Sequence, residues 1–455
     1  MIESNNKDRL NQFISNPYKA LWTLSIPMML GMSVQAIYML IDTAFIGHWV
    51  GGSALAGLGL IFPPMFIIMG ITFGLGSGAT TVIAQSIGEK NKEKADNAAE
   101  HIILLGIVIS LFFIFSGILF GKSLLEFQGS DPIVIKHASD YFYTMLYGVF
   151  FMVLSIFFRS ILSGEGNNLL PMKVLGLGTL INIILDPIFI YYYQIKGAAI
   201  ATVISQITVF VVFCYLMLFK NHNYISMNLK NFNFNINIFK QILNLGIPAS
   251  LSMVTMSCGL FIFNAILNIT PYSSNAIAAY STAHRIEHLF FIPIISIATC
   301  MVTLIGMFYG SKNYHLINKV FFYAIKSGLI ISIIFGIIFY TSSKFMLSLF
   351  TNDIEIILLG VSYFEVFSFA IPFITITMIS SRCMQGLGVA YPMFIITCLR
   401  VIFINCALAY YYIIYLNKPL EFAWYSIFIS CISSAIISYI WFLIIRKKRL
   451  DIVLQ

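Results

Sequence analysis

Twelve runs of apolar residues, each long enough to cross a bilayer, constrain this chain more than any other feature. They fall near 21–48, 54–86, 98–121, 138–162, 168–193, 197–220, 242–268, 276–309, 318–341, 357–385, 390–415 and 421–445. A spanning helix needs roughly 20 apolar residues, because each rises about 1.5 Å across a hydrocarbon core of about 30 Å. Only 10% of the residues are charged and 59% are hydrophobic, against about 25% charged in a soluble domain. A soluble protein so composed would have no polar surface for water, so its solvent is lipid. The two longest runs, 54–86 and 276–309, are expected to tilt or to extend beyond the bilayer. Short hairpin loops make neighbouring helices antiparallel. The expected fold is an all-α membrane protein of twelve transmembrane helices in two six-helix bundles.

The basic residues set the orientation. With the N-terminus in the cytoplasm, 19 of the 26 Lys and Arg residues fall on the cytoplasmic side, and Lys122, Lys136, Lys196, Lys344 and Lys418 fall outside. Cytoplasmic loops carry an excess of Lys and Arg, so both termini are expected in the cytoplasm. The formal charge of +8 is spread over short loops and forms no basic, aromatic patch for nucleic acid. The polar N-terminus has no small-residue cleavage site after a short apolar core, so the first run is expected to be retained as a membrane helix. All seven cysteines lie in apolar runs without metal-ligand spacing and read as small buried residues. The expected organisation is a cytoplasmic segment 1–20, an N-terminal bundle 21–220, a cytoplasmic linker 221–240, a C-terminal bundle 241–445 and a basic tail 446–455. The linker is rich in asparagine: Asn221, Asn223, Asn228, Asn231, Asn233, Asn235 and Asn237. It reads as flexible by position, although the whole chain is biased towards Ile, Phe, Asn, Tyr and Lys.

The two halves repeat. Ile26–Pro27 is matched by Ile247–Pro248, at an offset of 221. Gly88, Lys90 and Asn91 are matched at 222 by Gly310, Lys312 and Asn313, and Gly164 and Gly166 by Gly386 and Gly388. Pro171–Met172 returns at 221 as Pro392–Met393. Six helices per half is even, so both halves enter from the same side, related by an axis along the membrane normal. Two such bundles can rock about a cleft, which favours a transporter over a channel or a membrane enzyme.

Three segments carry a resemblance. Leu40 to Gly47 (Leu-Ile-Asp-Thr-Ala-Phe-Ile-Gly) resembles the first-helix motif of multidrug and toxic compound extrusion (MATE) transporters. Gly164 to Asn167 with Pro171–Met172 resembles the family's loop before the fifth helix, and Asn182 to Pro187 its fifth-helix motif. The similarity runs over essentially the whole chain. It implies two six-helix bundles, and the acid pair implies the DinF-like branch, which serves cation-coupled drug export.

An ionised carboxylate in a membrane costs several kcal/mol unless it is paired or faces water. Each intramembrane acid is therefore a candidate. Gln35, Tyr38 and Asp42 share one helical face, a polar stripe suited to a cavity; a structural acid bonded between helices is the plainer reading. Asn182 and Asp186 are i and i+4, and Pro187 frees the carbonyl of Ile183. A carboxylate, an amide oxygen and a free carbonyl suit a proton or a hard monovalent cation. Thr202 adds a hydroxyl if the loop at 193–197 returns the chain alongside, or it simply packs. The resemblance implies that Asp42, Asp186, Asn182 and Thr202 form the cation site. At an offset of 221, Asp42 maps to Phe263 and Asp186 to Ala407, so coupling is expected in the first half alone.

His284-Arg-Ile-Glu287-His288 fits the H-x-x-E-H pattern of a zinc peptidase, but no convincing third ligand accompanies it. Glu287, Arg285 and Glu365 are secondary proton or substrate candidates. No Walker loop is present, so ATP is not the expected energy source. The 42 Phe, 24 Tyr and 20 Met residues suit a cavity for flat organic cations. The expectation is a monomeric antiporter of the cytoplasmic membrane, not an enzyme. It exchanges small, amphipathic organic cations for inward H⁺ or Na⁺ and needs no cofactor, metal or nucleic acid. The alternatives are a lipid-linked precursor flippase of the same superfamily and an intramembrane metalloprotease.

Overall fold

The computed structural model describes residues 2–128, 131–219, 224–227, 232–270 and 272–451. Of the linker residues named above, Asn221, Asn223, Asn228 and Asn231 lie outside them. The described residues are helical with no strand. A short α1 (Ile2–Ser15) precedes α2 (Pro17–Trp49), α3 (Gly52–Gly88), α4 (Lys92–Gln128), α5 (Pro132–Gly164) and α6 (Leu169–Cys214). Then come α7 (Ile236–Asn268), α8 (Ser273–Gly310), α9 (Tyr314–Ser348) and α10 (Ile354–Gly386). The next segment, α11 (Tyr391–Tyr415), contains π-helical turns, and α12 (Glu421–Asp451) closes the chain.

From α2 onward every helix is long and apolar enough to span. The helical stretch Leu169–Leu218 is 50 residues long, about 75 Å at 1.5 Å per residue and more than twice the hydrocarbon thickness. It breaks at Gln194, whose φ of 53° and ψ of −135° are not helical. Two arms result, 169–193 and 195–214, which brings the spans among the described residues to twelve. The break falls where the 168–193 and 197–220 runs separate in the sequence. Residues such as Lys92 and Asp131 at helix ends show why the helices outrun the apolar runs: polar residues continue or cap them beyond the hydrocarbon.

The chain resolves into two compact units, one of Met1–Gln12 and Ile26–Ser250, the other of Phe13–Ser25 and Leu251–Gln455. The division falls within α2 and α7, beside Pro27 and Pro248, themselves a repeat-related pair. In the first unit, α3 and α7 approach through small residues. A Cβ on Gly78 would lie 2.6 Å from the Gly246 nitrogen, closer than any side chain permits.

The repeat is visible in the backbone. Lys90 (φ 58°) and Lys312 (φ 59°) both take the left-handed conformation, as do Gly166 (φ 74°) and Gly388 (φ 84°). Each ends a helix with the same bonds: Asn91 N–H to Ser86 O, Asn313 N–H to Phe308 O, Asn167 N–H to Leu162 O and Val389 N–H to Met384 O. These are helix C-terminal closures that satisfy carbonyls the helix leaves open. They form two pairs, each at the offset of the sequence repeat, so the duplication is structural as well as sequential.

The described part of the linker is docked on the first unit, which differs from the flexibility read from its position. Ile225 N–H donates to Glu165 Oε1 at 2.8 Å, and Ser226 N–H to Asp96 Oδ1 at 3.0 Å. Asn235 N–H donates to His101 Nε2 at 3.1 Å, so His101 Nδ1 carries the hydrogen and donates to Asn97 O at 2.8 Å. The donors come mostly from the backbone, which composition does not report.

Glu165 gives this docking a pH dependence. Burial pushes its carboxyl from 4.5 up to about 7, opposed by the Ile225 N–H and the Arg9 guanidinium. A folded-state value above the unfolded one means that the fold holds this proton more tightly than the open chain does. The contribution is full below about pH 4.5 and is lost as pH rises through 7. Between pH 5 and 8 the stability of the wild type, followed by its melting, should fall relative to Glu165→Gln by an amount on the order of 1–3 kcal/mol. Parallel curves for the two proteins would contradict it.

Candidate cation site

The first unit gathers the candidate residues from three helical segments. Asp42 comes from α2, Asn182 and Asp186 from the first arm of α6, and Thr202 from its second arm. All four are buried. Asn182 Nδ2 donates to Asp186 Oδ1 at 3.2 Å, the i to i+4 contact expected of one helical face. The Tyr38 and Thr202 hydroxyls lie 3.2 Å apart, so the second arm of α6 is held against α2. Asp42 and Asp186 are near enough for each to feel the other's charge.

Thr202 reaches this place because the chain doubles back at Gln194. Gly197 makes the return tight: a Cβ there would sit 2.0 Å from the carbonyl oxygen of Phe189. Gly197→Val should therefore force the arms apart, costing on the order of 1–3 kcal/mol and moving Thr202 away from Tyr38. Cysteines at Tyr38 and Thr202 should be joined by a short bifunctional thiol reagent in the parent and less readily in Gly197→Val; equal crosslinking would contradict this.

Tyr141, on α5, was not singled out from the sequence. It lies close to Thr202, Asp42 and Asp186. Only the repeat could have signalled it, since its counterpart at an offset of 222, Tyr363, is also tyrosine. Gln35 is exposed, and no hydrogen bond or ring contact among the described residues joins it to the cluster.

Three buried acceptors in this cluster have no hydrogen-bond partner among the described residues: Asp42 Oδ1, Asn182 Oδ1 and Asp186 Oδ2. Burying such oxygens unpaired costs about 1–3 kcal/mol each, and more when they are charged. Two facing carboxylates and an amide oxygen are the donor set that a proton or a hard monovalent cation satisfies. The hydroxyls of Tyr38, Tyr141 and Thr202 surround them.

The secondary candidates separate in the second unit. Glu287 is buried on α8, with Oε2 3.4 Å from His284 Nδ1. Arg285, His288 and Glu365 are exposed. The zinc-peptidase spacing thus places its first imidazole on its own glutamate. Among the described residues no three His, Cys, Asp or Glu side chains converge as metal ligands.

The chain matches the MatE family model twice, over residues 27–188 and 248–411. The starts of the two matches, Pro27 and Pro248, are the repeat-related prolines themselves. Among curated proteins, the chain is 26% identical over 438 residues to a probable multidrug resistance protein NorM of Thermotoga maritima, covering 93% of this chain and 92% of that one. It is 26% identical over 353 residues to the multidrug export protein MepA of Staphylococcus aureus, covering 77% of each. Among solved structures, it is similar to a MOP superfamily transporter of Pyrococcus furiosus, at a TM-score of 0.92 and 30% identity over 95% of this chain and 96% of that one. An outward-facing multidrug resistance MATE family transporter is similar at a TM-score of 0.90 and 30% identity, with the same coverage.

Proposed function

The chain belongs to the MATE family of multidrug efflux transporters, and from that premise we propose that it is a cation-coupled antiporter that exports amphipathic organic cations by alternating access. The observation that carries the coupling is the set of three unpartnered acceptor oxygens on Asp42, Asn182 and Asp186, buried within membrane-spanning helices. Acids held in this way invite a cation, and a cation that binds one facing state better than the other shifts the equilibrium between them. The coupling ion is H⁺ or Na⁺, since the same oxygens serve either. The absence of comparable acids at Phe263 and Ala407 favours coupling in the first half, as in the DinF-like branch. The similarity to proteins named for multidrug resistance and export supports the substrate class.

The test is efflux of ethidium from proteoliposomes under separately imposed Na⁺ and pH gradients. One gradient should accelerate efflux; indifference to both would overturn the proposal. The protein is placed in the cytoplasmic membrane with both termini inside. Ser130→Cys should react with an impermeant thiol reagent from outside intact cells, and Asn233→Cys only after permeabilisation. The reverse pattern would overturn this orientation.

A further inference from the structure

In the second unit, α9 turns one stripe of side chains away from the protein. Lys319, Phe322, Lys326, Ile330, Ile333 and Ile337 are all exposed. They recur every three or four residues, which is one face of a helix. In a spanning helix such a face meets lipid. Four of the six are apolar, as lipid requires, and two are lysines. Lys326 lies eight residues into the apolar run that begins near 318, about 12 Å along the helix at 1.5 Å per residue. A charge at that depth is costly unless it finds a partner or reaches back to the membrane surface.

Among the described residues no ion pair involves Lys326, Lys319 or the nearby Lys19. The acids of this unit lie elsewhere. Asp353, Glu355 and Glu421 belong to the opposite end of the bundle, Glu287 and Glu365 to the interior stretches of α8 and α10, and Asp451 ends α12. The end where α9 begins is basic from three helices. Arg446 Nη1 of α12 donates to Asn318 Oδ1 at 3.0 Å, which sets the run Arg446 to Arg449 beside the start of α9. The start of α2 docks on α9 through aromatic side chains. The Trp22 indole N–H donates to the Tyr323 hydroxyl at 3.0 Å, and the Tyr18 and Tyr323 rings are 4.6 Å apart. Lys19 is exposed on the flank of that face, three residues before Trp22. The Tyr323 oxygen accepts from Trp22, and its own hydrogen has no acceptor among the described residues.

The direction of the helix decides where the Lys326 charge goes. Long helical side chains lean towards the N-terminus of their helix, and the N-terminus of α9 is at the membrane surface. The stem of Lys326 thus lies along apolar surface while its ammonium returns towards Phe322, Tyr323 and Lys319. Trp and Tyr favour that same level of the bilayer, beside the lipid headgroups. A phosphodiester at this level would meet ammonium groups and the free hydrogen of the Tyr323 hydroxyl. Below it, Ile330, Ile333 and Ile337 continue as a track for acyl chains. A free phosphate ion would use the charges and leave the track empty, so the arrangement fits a whole lipid. We propose that this face of α9, with the start of α2, is a binding site for one anionic glycerophospholipid, whose phosphate is held by Lys326, Lys319, Lys19 and Tyr323.

The test measures lipid binding. Purified full-length protein in detergent is mixed with equal amounts of phosphatidylglycerol and phosphatidylcholine carrying the same acyl chains, and the bound lipids are counted by native mass spectrometry. The wild type should hold one phosphatidylglycerol in preference to phosphatidylcholine. Lys326→Gln should weaken that binding about five- to tenfold, the effect of losing one basic residue at an anionic surface, and leave phosphatidylcholine binding unchanged. Lys326→Arg, which keeps the charge, should keep the preference. Lys19→Gln combined with Lys319→Gln, at exposed positions, should weaken phosphatidylglycerol binding about fivefold, and it keeps the proposal testable if Lys326→Gln does not fold. Lys447→Gln combined with Lys448→Gln should leave the preference intact. Equal binding of the two lipids by the wild type, or an undiminished preference in whichever of the first two neutral variants folds, would overturn the proposal. Loss of the preference in the Lys447 and Lys448 variant alone would move the binding to the basic tail and overturn it too. Displacement of the lipid by an equal concentration of inorganic phosphate would make the site one for a free anion, with the same consequence.

Discussion

Asp42→Asn should leave the protein folded and inserted while gradient-driven drug efflux collapses. The amide has nearly the size and hydrogen-bonding capacity of the acid and is easier to bury in lipid than a charge. It cannot take up or release a proton, and it holds Na⁺ more weakly. Replacing a charged partner by a neutral one costs about 1.5–3 kcal/mol of cation binding, roughly a ten- to hundredfold loss. Asp42 Oδ1 has no hydrogen-bond partner among the described residues, so the substitution breaks no hydrogen bond to them at that atom. A purely structural acid would behave in the opposite way: the folded yield would fall and efflux per folded molecule would stay near normal. Quantifying both in one preparation decides between the two.

Asp186→Asn should have an effect of similar size, whereas Ala407→Ser, at the matching place in the second half, should change little. Asp186 faces Asp42 and accepts from Asn182 at 3.2 Å, so the cluster loses one of its two acids. Residue 407 lies in α11, and the counterpart of Asp42 in that half is Phe263, not an acid. The check is cation-coupled ethidium efflux in proteoliposomes at matched protein content. Equal loss in both variants would show that coupling is not confined to the first half.

The spans, the repeat and the faces of single helices were legible in the sequence, because each depends on local periodicity or on matching residues. Gln35, Tyr38 and Asp42 could be grouped by helical spacing, and so could Asn182 and Asp186. Spacing does not say which helix stands opposite. That is why Tyr141, on the largely apolar α5, does not stand out in the sequence. The return of Thr202 to the site depends on one non-helical residue, Gln194, and one glycine, Gly197, and was legible only as a gap between two apolar runs. Arg285, Glu287 and Glu365 look alike as intramembrane charges; burial singles out Glu287, and burial is a property of neighbours far away in sequence. The docked linker was illegible for a different reason, since backbone N–H groups of Ile225, Ser226 and Asn235 make its bonds.

The most direct test of the coupling is the ion movement that the drug itself drives. Proteoliposomes are preloaded with ethidium and diluted into drug-free medium with no imposed Na⁺ or pH gradient, and internal pH and internal Na⁺ are followed as the drug leaves. An antiporter using the Asp42 and Asp186 oxygens predicts that one of the two ions moves inward as ethidium moves outward, and that this ion movement disappears in Asp42→Asn. Ethidium efflux with no opposing ion movement in the wild type, or an ion flux that persists unchanged in Asp42→Asn, would contradict it.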